Sequence, residues 1–147
     1  MPTIISQNTT WKSGETINLT AEVQVALGAS LTIESGATIN GNGFQLSVYG
    51  SLYANGSLNS HITLNNLNIV SSNSYLNLSY TKLNFIDMKN GSFITPYGSN
   101  MFGNFDISNS FFDNVKGFYL IFPTTASTII GNIFYKSEGI QISGSVL

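Results

Sequence analysis

The sequence predicts an all-β solenoid, a parallel β-helix of about six coils, and three observations lead there. The first is a recurring spacing: Phe85-Ile86, four residues, Gly91, two residues, Ile94. The same grammar returns as Phe111-Phe112, Gly117, Leu120 and as Ile133-Phe134, Gly139, Ile142, at offsets of 26 and then 22 residues. A repeat of this size marks coils that bury their apolar faces only against their neighbours. The second observation is period-two alternation in short segments, with no apolar 3.6-residue stripe long enough for a helix. The third follows from the first two. Parallel strands normally return through helical crossovers, so without helices the chain is either an antiparallel sandwich or a coil, and a sandwich gives no 22-residue register. Each coil is expected to rise roughly 4.8 Å.

In chain order, residues 1–16 are polar apart from Ile4, Ile5 and the single tryptophan, Trp11. They are read as an N-terminal cap, with Trp11 over the open end of the first coil, because bare strand edges invite association. The β-helix domain is expected over 17–147. Its strands are expected at Ile17-Leu19, Val23-Val25, Leu31-Ile33, Phe44-Val48, Ile62-Leu64, Leu67-Ile69, Leu76-Leu78, Leu83-Phe85, Phe105-Ile107, Phe118-Leu120 and Ile140-Ile142. Turns fall at Glu34-Ser35-Gly36, Asn40-Gly41-Asn42-Gly43, Ala54-Asn55-Gly56-Ser57 and Ser71-Ser72-Asn73-Ser74, rich in the residues that accept the left-handed angles of sharp corners. The chain stops within a coil at Ile140–Leu147 without a capping signal. That end is therefore expected to be covered by a second copy, by a larger parent chain or by an appended tag.

Composition excludes several classes of function. Charged residues make up 8% of the 147 residues and the formal net charge is −2. Hydrophobic residues reach 42%, which suits a folded core and not a disordered chain. All basic residues are lysines (Lys12, Lys82, Lys89, Lys116, Lys136), scattered and without an arginine, so no nucleic-acid partner is expected. No apolar run approaches the roughly 18 residues of a membrane span. No signal peptide is visible, since Met1-Pro2-Thr3-Ile4-Ile5 lacks basic and apolar regions. There is no cysteine, hence no disulfide or thiolate metal site.

The run Leu31-Thr32-Ile33-Glu34-Ser35-Gly36-Ala37-Thr38-Ile39, then Val48-Tyr49-Gly50-Ser51-Leu52-Tyr53-Ala54-Asn55-Gly56-Ser57 and Ile62-Thr63-Leu64, resembles the opening coils of right-handed parallel β-helix domains of the pectate-lyase-like superfamily. Ser110-Phe111-Phe112-Asp113-Asn114 and Asn132-Ile133-Phe134-Tyr135-Lys136 resemble its degenerate repeat. The resemblance covers roughly residues 10–147. It implies a right-handed coil and a bacterial secreted or cell-surface setting, often within a large protein. It leaves function open, since the superfamily holds lyases, hydrolases, epimerases, phage tailspikes and inert scaffolds.

Candidate chemistry is sparse. The repeat aligns Asp87 with Asp113, which would stack two carboxylates about 5 Å apart. Such a pair is what a retaining glycosidase uses, and it would also suit a cation. Both residues, however, fall in turns where polar side chains belong. Asp106, between Phe105 and Ile107, points outward on a strand face. The superfamily's lyases use an arginine or lysine base beside calcium-binding aspartates, and this chain has no arginine and no dense acidic cluster, so those catalytic residues do not carry over. His61 is the only histidine and has no carboxylate near it in sequence. No catalytic residue, metal site or cofactor is therefore assigned. Threonines such as Thr9-Thr10, Thr124-Thr125 and Thr128 cluster irregularly, without the grid that ice binding requires.

Outward positions supply a different kind of site. Tyr119 aligns with Phe93 and Gln141, a file of aromatic and amide groups with Tyr135 near its edge (and Tyr97 beside it), suited to sugar rings or to a protein contact. The expected function is a non-catalytic structural or adhesive module, with polysaccharide as its possible ligand. The alternative is a carbohydrate-active enzyme, or a remnant of one, using Asp87, Asp106 or Asp113.

Overall fold

The protein is described from a computed structural model that covers residues 1–71, 74–84, 103–113, 119–122, 128–136 and 141–144. These residues form a parallel β-solenoid and include no helix. The first coil carries β1 (Thr3–Ile5), β2 (Thr9–Trp11) and β3 (Thr16–Asn18). The second carries β4 (Val23–Val25), β5 (Ser30–Glu34) and β6 (Thr38–Asn40), and the third β7 (Gln45–Val48), β8 (Ser51–Asn55) and β9 (Ile62–Asn65). The fourth carries β10 (Asn68–Ser71), β11 (Ser74–Ser79) and β12 (Thr81–Asn84). Above them lie β13 (Gly103–Ser108), β14 (Phe111–Asp113), β15 (Tyr119–Phe122), β16 (Thr128–Ile130), β17 (Ile133–Tyr135) and β18 (Gln141–Gly144).

Like strands stack on like. Sheet A runs β1-β4-β7-β10, sheet B β2-β5-β8-β11-β13-β16 and sheet C β3-β6-β9-β12-β14-β17, with β15 and β18 as a separate pair. Four coils thus have all three sides described, and sheets B and C continue for two strands more. Alternation explains the core. In sheet B, Leu31, Leu52 and Leu76 form one inward file, and Ile33, Ala54, Leu78 and Ile107 form the next. Sheet A contributes Val23, Leu46 and Ile69, and sheet C Ile39 and Leu64, all buried. Each buried aliphatic side chain contributes about 1.5–3 kcal/mol relative to exposure. Since each file rests on the coil below, the stack is stabilised coil by coil.

Corners obey the same arithmetic. The bend from sheet B into sheet C takes a left-handed backbone at Gly14, Gly36, Tyr80, Asn109 and Gly131, where φ lies between 45° and 80°. Asn42 (φ 53°) and Gly43 (φ 80°) turn sheet C into sheet A, as the Asn-Gly cluster predicts. Corner side chains then satisfy the backbone: Asn132 Nδ2 donates to the Ile107 carbonyl at 2.8 Å while its Oδ1 accepts from the Ser110 amide at 2.9 Å. Gly50 is required for a different reason. A Cβ there would stand 2.0 Å from the Ala29 carbonyl oxygen and 2.5 Å from that of Ala26.

The register confirms part of the repeat and corrects the rest. Phe112 pairs with Phe134, their rings stacked at 4.6 Å and 14°, with Phe112 fully buried and Phe134 half-buried. Below Phe112, however, the partner is Leu83 and not Ile86, so the copy read at Phe85-Ile86 is three residues out of register. Spacing measured between the Phe85-Ile86 and Phe111-Phe112 motifs hid a longer coil, because loop residues between strands change the spacing without changing the pairing. The segment expected as a cap, 1–16, supplies β1, β2 and the start of β3 and is itself a coil at the open edge of all three sheets. Trp11 packs on the core from that coil, paired with Ile33. Residues 145–147, at the end expected to be covered by another chain, lie outside the described residues.

Candidate functional site

The outer face of sheet B gathers the densest cluster of chemistry. Its central row, in register across the coils, is Thr10, Thr32, Tyr53, Asn77, Asp106 and Thr128. Beside it, Tyr75 sits above Ser51. The rings of Tyr53 and Tyr75 lie 5.5 Å apart at 51°, a tilted pair across neighbouring strands. The Tyr75 hydroxyl donates to Asp106 Oδ2 at 2.6 Å and accepts from Asn77 Nδ2 at 3.4 Å. Tyr53, Tyr75, Asn77 and Asp106 are all half-buried, wet on the outside and held by their strands.

The electrostatics follow from that short bond. The hydrogen bond to Asp106 raises the Tyr75 pKa above its ordinary 10.0, burial adds to the rise, and the Asn77 amide opposes it. Losing the phenolic proton would leave two negative oxygens in contact, so Tyr75 stays a neutral donor and fixes the carboxylate. Within this cluster the Tyr53 hydroxyl, the Asn77 side-chain oxygen and the second carboxylate oxygen of Asp106 have no partner among the described residues. The arrangement offers an aromatic platform with fixed hydrogen-bonding groups at its edge.

Sheet C presents a different surface. Asn18, Asn40, Asn65 and Asn84 form a ladder in which each upper amide donates to the carbonyl oxygen below, at 2.8, 2.9 and 3.0 Å. Beside it, Thr16, Thr38 and Thr63 stand in register as a short file. It ends at Lys82. Above, Phe111 and Tyr135 stack loosely at 6.4 Å and 20°, flanked by exposed Ile133. Lys82 Nζ lies 6.0 Å from the Phe111 ring and Lys136 Nζ 5.1 Å from that of Tyr135. Those ammonium groups already occupy aromatic faces.

Those residues singled out in sequence that the structure describes lie on several sheets. Tyr119 and Gln141 are backbone neighbours in β15 and β18, as the repeat predicts. Tyr135 belongs to sheet C, on a different sheet from those two. Phe93, Tyr97 and Asp87 lie outside the described residues. Asp113 pairs with Asn84 on the coil below, which contradicts its expected stacking on Asp87 for the same three-residue reason. Asp106 and Asp113 face outward from different sheets. His61 is an exposed turn residue, edge-on to Tyr80 at 6.1 Å.

Among the described residues no group of three or more His, Asp or Glu is placed to hold a metal ion, and no helix is long and apolar enough to cross a membrane. Comparisons with protein-family models, curated proteins and solved structures returned no match. Tyr53 and Tyr75, the heart of the cluster, escaped the sequence reading. Each stands alone in its strand, and only the pairing of β8 with β11 makes them neighbours.

Proposed function

We propose that this chain is a non-catalytic parallel β-helix module, of the pectate-lyase-like kind found in bacterial secreted or surface proteins, that binds carbohydrate on the outer face of sheet B. The observation that carries this reading is the tilted Tyr53–Tyr75 pair next to a carboxylate that Tyr75 itself fixes. A pyranose has apolar faces and a rim of hydroxyls. Aromatic side chains bury the face, and rigid polar groups at the rim supply orientation. Groups held in place before binding lose little freedom when the ligand arrives.

The resemblance of Leu31–Ile39 and Val48–Ser57 to the opening coils of such domains supports the superfamily and the extracellular setting. A non-catalytic role is supported by the separation of Asp106 and Asp113 on two sheets, since glycoside hydrolysis uses two carboxyl groups flanking one bond. Affinity electrophoresis through gels containing single polysaccharides tests the proposal. Retardation in at least one gel is expected, and Tyr53→Ala and Tyr75→Ala should each strongly reduce it while leaving the fold intact by circular dichroism. Unretarded migration in every gel, or retardation that both variants keep, would overturn it.

A further inference from the structure

Resting on the carbohydrate reading, we infer that the sheet B site takes uncharged, hydroxyl-rich glycans and rejects uronates and sulfated chains. The outward positions of β5, β8, β11, β13 and β16 include two acids, Glu34 and Asp106, and no lysine. The lysines among the described residues lie elsewhere: Lys12 beyond the end of β2, Lys82 on sheet C and Lys136 beyond β17. These strands carry no cationic side chain to offset an anion.

Asp106 gives the preference its chemistry. An ionised carboxylate only accepts hydrogen bonds. One oxygen is held by Tyr75 and the other has no partner among the described residues, so a ligand that displaces solvent from it must supply a donor in its place. A sugar hydroxyl provides one, whereas a uronate carboxylate or a sulfate brings a second negative charge to the same place. The Tyr75 hydroxyl is already committed to Asp106, and the donors that remain, the Tyr53 hydroxyl and the Asn77 amide, are neutral and cannot offset a second negative charge.

Geometry also sets the direction of the bound chain. Tyr53, Asn77 and Asp106 follow one another on successive coils, stepping roughly 4.8 Å each time. A sugar on the Tyr53 ring therefore has Asp106 ahead of it along the solenoid axis, and the glycan runs across the strands. The resemblance noted in sequence includes lyases of acidic polysaccharides, so the charge pattern of this face points away from that ligand class.

Isothermal titration calorimetry separates the possibilities, with cellohexaose, xylohexaose and mannohexaose as neutral probes and hexagalacturonate and hexaguluronate as acidic ones. At least one neutral probe is expected to bind, with both acidic probes roughly tenfold weaker or worse at low salt. The gap should narrow as added salt screens the charges. Asp106→Asn, which keeps the shape and an acceptor oxygen, should narrow the gap about as much, again by roughly tenfold. Acidic probes that bind as well as the neutral ones, or a gap unchanged by Asp106→Asn, would overturn the charge selectivity while leaving carbohydrate binding standing. Heat from none of the probes, together with no retardation in any polysaccharide gel, would instead overturn the carbohydrate reading.

Discussion

Sheets B and C are made by the same coils and share the same inward and outward alternation, yet their outer faces use polar groups in opposite ways. On sheet C, Asn18, Asn40, Asn65 and Asn84 satisfy one another, and the two lysines near its aromatic end lie against Phe111 and Tyr135. On sheet B the repetition breaks where Thr32 gives way to Tyr53, then to Asn77 and Asp106, and acceptor capacity is left pointing outward. A ladder of identical residues stabilises the stack and has little left for a ligand. In a solenoid, the place to look for binding is where the file stops repeating.

The comparison is broken most drastically from inside. Phe112→Ala removes a fully buried ring from beneath sheet C and should cost roughly 3–5 kcal/mol, read by urea unfolding. Phe134→Ala, half-buried above it, should cost less. Near-wild-type stability for Phe112→Ala would show that the Phe112–Phe134 stack does not support the coils. Because the core is shared, the loss should weaken both outer faces together.

Gly50→Ala separates the faces. The added methyl would press on the Ala26 and Ala29 carbonyl oxygens, which are backbone atoms and cannot swing away. A penalty of about 1–3 kcal/mol is expected from such overpacking. Gly50 immediately precedes β8, so glycan affinity should fall with it. A variant as stable as the parent would mean that the two coils stand farther apart there than described.

Asn65→Ala tests the ladder from its middle, deleting the bonds to Asn40 and Asn84. At about 1 kcal/mol for each net hydrogen bond, a loss near 1–2 kcal/mol is expected, with glycan affinity unchanged. Altered affinity would show that the faces are coupled.

The smallest effect is on pH. The Tyr75 pKa is raised in the folded chain, so the folded state holds this proton more tightly than the unfolded one. The contribution of the Tyr75–Asp106 bond is then complete below the ordinary tyrosine value near 10 and is lost as pH rises through the higher folded value. The stability difference between the parent and Tyr75→Phe should shrink across that alkaline window. A difference that stays flat would mean that the bond does not hold the phenolic proton.

Much of this architecture was legible in the sequence because burial on one side of a strand writes itself as alternation. Leu31, Ile33, Leu76 and Leu78 announce both their strands and their facing. Thr38–Asn40 did not, since a three-residue strand has one inward residue, Ile39, and no period to read. Ser51–Asn55 was missed because its second inward residue is Ala54, too small to mark a core position. Corners at Gly36, Asn42 and Gly43 were legible from residue type alone. The candidate site was not. Asp106 was recognisable as outward-facing, but its partner Tyr75 lies 31 positions earlier, and only the unequal lengths of the intervening coils decide that they meet.

The most direct test of the account compares one tyrosine from each face. Tyr75→Ala and Tyr135→Ala should be titrated with the best neutral hexasaccharide under identical conditions, after confirming that both variants fold. The account predicts that Tyr75→Ala weakens binding by about thirtyfold, the loss of a central aromatic contact worth roughly 2 kcal/mol, while Tyr135→Ala stays within about twofold of the parent, the scatter of a residue outside the interface. The reverse pattern, with affinity lost in Tyr135→Ala and kept in Tyr75→Ala, would contradict it and move the site to sheet C.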